Sequence, residues 1–151
     1  MAVDIFNTAK TIPLNPTSAT NGATITSGLI DCIGHESLVL DIIASTADVV
    51  SDSPSVLKLQ EADVTNTSSF ADITAAVGGG AGGFTIPAGV TATTTQVYFT
   101  FEVDLRQRKR YLRLLVSPRT TQTYSALATF GRNKTVPISA SDRGVSGYVD
   151  L

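Results

Sequence analysis

The sequence predicts an all-β fold, an antiparallel β-sandwich of jelly-roll-like or Ig-like type with extended arms at both ends. Three observations point there. Several strand-length runs alternate apolar and polar residues, and turn signals separate them. Almost no segment carries a helical period. Thr, Ser, Val and Gly are abundant and Trp is absent, a composition that favours sheet over helix. A closed barrel is the alternative.

At 151 residues the chain is most economically one domain, able to bury roughly two-thirds of its extended-chain surface. The expected division is an N-terminal arm over residues 1–20, a β-sandwich over 22–131 and a C-terminal arm over 133–151. The first arm carries Pro13, Asn15, Pro16 and Asn21 without a sustained period. A short strand near residues 11–14 is its one regular element, because proline is confined to sheet edges and strand ends.

Residues 24–30 form the first core strand, and 31–36 a turn around Gly34. Residues 37–44 are almost continuously apolar, the pattern of a central strand covered on both faces. Across the loop at 48–54, residues 55–60 alternate again, with Leu57 and Leu59 on one face. The spacing predicts a hairpin between these two strands. Residues 69–76 fit a short strand or a helical turn. The run GGGAGG at 78–83 reads as a flexible hairpin tip or an insertion loop.

The clearest period lies in residues 96–118, QVYFTFEVDLRQRKRYLRLLVSP. Phe99, Phe101, Val103 and Leu105 share one face, and Tyr98, Thr100, Glu102 and Asp104 the other. After a polar break, Leu112, Leu114 and Val116 point inward while Tyr111 and Arg113 point outward. The break suits a short hairpin loop or a bulge, so these residues predict one long antiparallel ribbon. In the last strand, 121–130, Tyr124, Ala126, Ala128 and Phe130 share a face.

No membrane-spanning run of ~18 apolar residues is present. The start, MAVDIFNTAK, lacks a basic segment followed by an apolar run and so predicts no secretory signal. The protein is expected to mature where it is made. One cysteine forms no internal disulfide, in keeping with a reducing compartment. Two glycosylation-type triplets, at Asn66 and Asn133, are then coincidental.

The residues offer little for catalysis. Cys32 and His35 stand as C-I-G-H, without the orienting group a nucleophile needs and with too few ligands for structural zinc. The glycine run lacks the Lys-Ser/Thr of a phosphate loop. Glu102 and Asp104 share an outward face, which does not aim them into one pocket as sugar hydrolysis requires. The Asp48/Asp52 loop has the oxygen ligands calcium takes, without the full pattern of a calcium-binding loop. No enzyme, cofactor or metal is expected.

Charge is unevenly placed. Residues 1–75 hold two basic and nine acidic side chains, whereas 76–151 hold nine basic and four acidic. Either the halves intermingle in the fold, or an acidic and a basic surface meet between copies. Head-to-tail pairing of that kind leads to a closed ring, expected as a homotrimer. Arg106, Arg108, Lys109, Arg110 and Arg113 are five of the eleven basic residues. They fit a solvated hairpin end or a contact with an acidic protein surface. Direct nucleic-acid binding is not expected, since exposed aromatics and a wider basic surface are missing.

The string EVDLRQRKRYLRLLVSP resembles the basic-Arg-Tyr-aliphatic-Arg-aliphatic strand of small β-rich virion proteins of tailed bacteriophages. Residues 31–43 (DCIGHESLVLDII) and 56–72, with Lys58-Leu59-Gln60-Glu61-Ala62-Asp63, are similar to the preceding strands of that group. The likeness covers residues 20–130. It departs from the group at Gln107-Arg108-Lys109, where glycine is usual in the turn. The resemblance implies a capsid decoration (cement) protein on the virion surface, with the major capsid protein and further copies of itself as partners. A tail or head–tail component, or a carbohydrate-binding sandwich for host adhesion, is the alternative. Arms of such proteins reach onto neighbours. Ile5, Phe6, Ile12 and Leu14, with the five basic residues above, are the expected partner contacts.

Overall fold

The computed structural model describes residues 10–20, 22–44, 54–86, 97–119 and 121–133. Among the described residues nine strands lie in two sheets: β1 (Lys10–Ala19), β2 (Ile25–Thr26), β3 (Ile30–Asp31), β4 (His35–Ala44), β5 (Val56–Ala62), β6 (Ala71–Val77), β7 (Val97–Asp104), β8 (Tyr111–Ser117) and β9 (Gln122–Asn133). One sheet has the order β1-β9-β4-β7, and the other β2-β8-β5-β6 with β3 also on β8. Every strand pairing is antiparallel. Because β2 and β3 both lie along β8, they act as one interrupted strand. The chain then changes sheet at every connection except β5 to β6. That order is the jelly roll, so the sandwich is of the jelly-roll rather than the Ig-like kind.

The two inner faces supply the core. Leu38, Leu40 and Ile42 of β4 and Ala128 and Phe130 of β9 meet Leu57 and Leu59 of β5 and Leu112, Leu114 and Val116 of β8. Each set follows the period of two, and in β7 the expected faces hold: Phe99 and Leu105 are buried, while Tyr98, Thr100, Glu102 and Asp104 are exposed.

The expected pairings do not hold. β7 and β8 form no ribbon: β7 pairs with β4, and β8 pairs with β5 in the opposite sheet. The break between them is a 3-10 turn, Leu105–Gln107, in which the Asp104 carboxylate accepts the Arg106 N–H at 3.1 Å. Leu105 is buried beneath this turn, which carries the chain across the sandwich instead of back along the same sheet. Likewise β4 and β5 do not pair; β4 lies between β9 and β7. Nor is β4 covered on both faces, for Val39 and Ile43 are exposed on its outer side.

The second half of the expected N-terminal arm is a strand. Residues 10–19 align along β9 from Lys10↔Phe130 to Ala19↔Gln122. Pro13 and Pro16 are tolerated because β1 is an edge, and the register shifts between Leu14 and Thr17, where Asn15 and Pro16 lie. Residues 1–9 and 134–151, with the loop holding Asp48 and Asp52, lie outside the described residues.

Two glycines fix turns. Gly34 has φ +82°, which a side chain would strain, and it lets the His35 N–H reach the Cys32 carbonyl at 3.2 Å. Gly83 packs so closely on the Val77 carbonyl that a Cβ there would collide with it. The glycine run is thus a closed turn that brings Phe84 back edge-on to Phe101, with ring centroids 5.5 Å apart.

Candidate functional site

The segment 105–110 lies at one end of the sandwich with the 31–35 turn and the start of the β5–β6 loop, and their charges meet there. Arg110 donates two hydrogen bonds to Asp31, from Nε at 3.0 Å and from its terminal nitrogen at 2.8 Å. Arg108 lies 3.6 Å from Glu61, and Lys109 3.7 Å from Asp63. The Lys109 backbone N–H also donates to Glu61 at 3.2 Å. Arg106 folds back on Asp104 in a forked pair, 2.6 Å at its shortest.

Arg113 differs from the other four. It is half-buried on the outer face of β8, donates to Gln60 at 2.8 Å and to the Thr67 carbonyl at 3.3 Å, and lies over the Phe70 ring at 4.2 Å. It pins the 3-10 turn Thr67–Ser69 against the sheet. Arg106, Arg108, Lys109 and Arg110 are therefore gathered as expected, but each has an acidic partner in its own chain. Among the described residues three of these pairs join an acid of the first half to a base of the second half within one chain. Exposed ion pairs of this kind are screened by water and stabilise little, so their effect is to set loop geometry.

Arg106 holds the Asp104 carboxyl down at about 2, chiefly through its side-chain hydrogen bonds and then through its backbone N–H. A carboxyl depressed in the folded state favours folding above its unfolded value of about 3.9, and that contribution fades as pH falls toward 2. In an NMR titration Asp104 is expected to titrate well below the usual carboxylate range, and Arg106→Ala should return it toward about 3.9. Asp72 is lowered as well, by Gln60 and then Lys58, which bond it at 2.6 and 2.9 Å across β5 and β6.

The C-I-G-H group does not form a nucleophile and base. Cys32 is buried, its thiol donates to the Ile30 carbonyl at 3.5 Å, and burial, with the Asp31 charge adding to it, pushes its pKa up to about 12. The His35 ring stacks on Phe130 with centroids 4.3 Å apart. A thiolate at neutral pH is the reactive species, so Cys32 is expected to resist a disulfide reagent at pH 8 in the folded protein. It should react fully once the chain is unfolded in urea. Among the described residues no group of three or more His, Cys, Asp or Glu is placed to hold a metal, and no helix is long and apolar enough to cross a membrane.

No family model matches the chain, and no curated protein matches it. Among solved structures it is similar to a chain of infectious bursal disease virus, Gt strain, with TM-score 0.48 and 9% identity. It is also similar to one of the Gx strain, with TM-score 0.47 and 14% identity. Each match covers 91% of this chain and 34% of the other, so the protein spans about a third of the length of those virus chains. The SPBc2 prophage-derived protein YomS is similar over 78% of this chain and 95% of its own, with TM-score 0.34 and 12% identity.

Two surface features had no warning in sequence spacing. An open cleft of about 620 Å³ separates the sheets along β6 and β7, walled by Leu57, Leu59, Ile73, Phe84, Phe99 and Phe101. The outer face of the four-stranded sheet exposes Val39, Ile43, Tyr98 and Leu127. In their midst Asp41 accepts hydrogen bonds from Tyr98 at 2.5 Å and Thr100 at 2.9 Å. Of the apolar partner contacts expected in the arm, Leu14 belongs instead to the chain's own core. The Ile12 backbone aligns with Ala128, and Ile5 and Phe6 lie outside the described residues.

Proposed function

We propose that the chain is a non-enzymatic structural protein of a tailed-bacteriophage particle, a decoration (cement) protein that binds the major capsid protein. The observation that carries this reading is how exposed groups are distributed. The basic cluster is tied to acids of the same chain, while apolar side chains gather on the outer face of one sheet. Tyr98 there has its hydroxyl already bonded to Asp41, so covering the ring leaves that hydroxyl with a partner. A flat face of this kind suits a broad protein surface better than a small substrate or a polyanion.

The resemblance to small virion proteins supports the same reading, because the residues that carry it form the end of β7, the capped turn and β8. The jelly roll by itself does not choose, since capsid, lectin and cupin domains all use it. The test is quantitative mass spectrometry of purified phage particles. Copies in numbers comparable to the capsid lattice support a decoration protein, whereas a few copies per particle would move the chain to the tail. Its absence from particles overturns the reading.

A further inference from the structure

β7 is an edge strand of a kind that natural sheets usually blunt. Among the described residues it pairs with β4 alone, in an unbroken register from Val97↔Ala44 to Asp104↔Ser37. Eight regular residues thus present one row of backbone N–H and C=O groups with no strand partner among the described residues. Prolines, bulges and inward-pointing charges are the common defences of such an edge. β1, at the other edge of the same sheet, has two prolines and a register shift. β7 has none of these. Glu102 and Asp104 are exposed on its outward face, and its inward Phe101 and Val103 stay partly exposed along the open cleft.

We propose that β7 pairs antiparallel with β7 of a second copy, merging two four-stranded sheets across a two-fold axis. Side-chain parity restricts the register, because inward residues of both copies must fall on the same side of the merged sheet. Centring on Phe101 sets Phe101 against its own counterpart, Phe99 against Val103, Thr100 against Glu102 and Tyr98 against Asp104. The inner pairs are aromatic and β-branched, the favourable cross-strand kind. On the outer face Glu102 then lies beside Thr100 and Asp104 beside Tyr98, so no two acids are set directly opposite. A parallel pairing in register would instead stack Glu102 on Glu102 and Asp104 on Asp104. Avoidance of like charges therefore selects the antiparallel two-fold arrangement over the parallel one, and with matched inner pairs the proposed occupant of the edge is a second copy of this chain.

Light scattering of the full chain gives the mass, and thiol cross-linking gives the register. The expected result is a dimer of the 15.8 kDa chain. Phe101→Cys lies on the axis and should cross-link to itself under copper-phenanthroline oxidation. Thr100→Cys alone should cross-link little, whereas a mixture of Thr100→Cys and Glu102→Cys should cross-link readily. Both of those positions are exposed, so this pair serves if Phe101→Cys does not fold. Buried Cys32 is the internal control. A dimer trapped by Leu127→Cys but by none of the β7 cysteines would place the contact on the outer sheet face and overturn the proposal. A monomer at every concentration overturns it too, whether the β7 amides exchange quickly, leaving the edge to another protein, or slowly, covered by the chain's own remaining residues.

Discussion

Leu112→Ala and Leu114→Ala are each expected to lower the unfolding free energy by about 2–5 kcal/mol, the usual range for truncating a buried leucine. Leu112 is fully buried and Leu114 is 4% exposed. Leu114 lies opposite the fully buried Leu59 of β5, so the two are neighbours and the costs of cutting both should not simply add. Arg113→Ala should cost less, about 1–2 kcal/mol, through its hydrogen bonds and its contact with the Phe70 ring. Urea titration of the three variants checks the order. If Arg113→Ala proved the most damaging, the register of β8 would be wrong by one residue.

Removing residues 1–20 should do more harm than any single truncation. The deletion strips β1 from the sheet, uncovers one side of β9 and takes Leu14 out of the core. Leu14→Ala alone should cost about 2–5 kcal/mol at most. Each lost cross-strand pair adds roughly 0.2–1 kcal/mol. The truncated chain is therefore expected to melt well below both the full protein and Leu14→Ala, in a thermal scan followed by circular dichroism. A truncation that melts with the full-length chain would mean that β1 contributes nothing to the fold.

What the sequence shows well is which side of each strand is buried. Phe99, Phe101 and Val103 in β7, or Tyr124, Ala128 and Phe130 in β9, are aligned by a period of two that local geometry enforces. Which strand lies alongside is another matter. Both sheets of a sandwich offer an inner face, so alternation through residues 96–118 cannot tell a hairpin from a crossing between sheets. The local clue was Asp104, a capping residue before buried Leu105, with no turn dipeptide after it. The prolines of β1 mislead for a related reason, since they exclude an interior strand but not an edge. The basic cluster was legible as a cluster, yet its partners were not. Arg110 and Asp31 lie 79 residues apart, and only the jelly-roll crossings bring them together. The open β7 edge is likewise a property of strand order, which no spacing along the chain records.

The charged end, the open cleft and the β7 edge all depend on β7 and β8 lying in opposite sheets. A nuclear Overhauser map of backbone protons tests that directly. Cross-strand contacts are expected between β7 and β4 around the Phe101↔Leu40 pair, and between β8 and β5 around Leu114↔Leu59. None should link the backbones of β7 and β8. A ladder of contacts running from β7 into β8 across residues 105–110 would restore the hairpin and contradict the jelly roll.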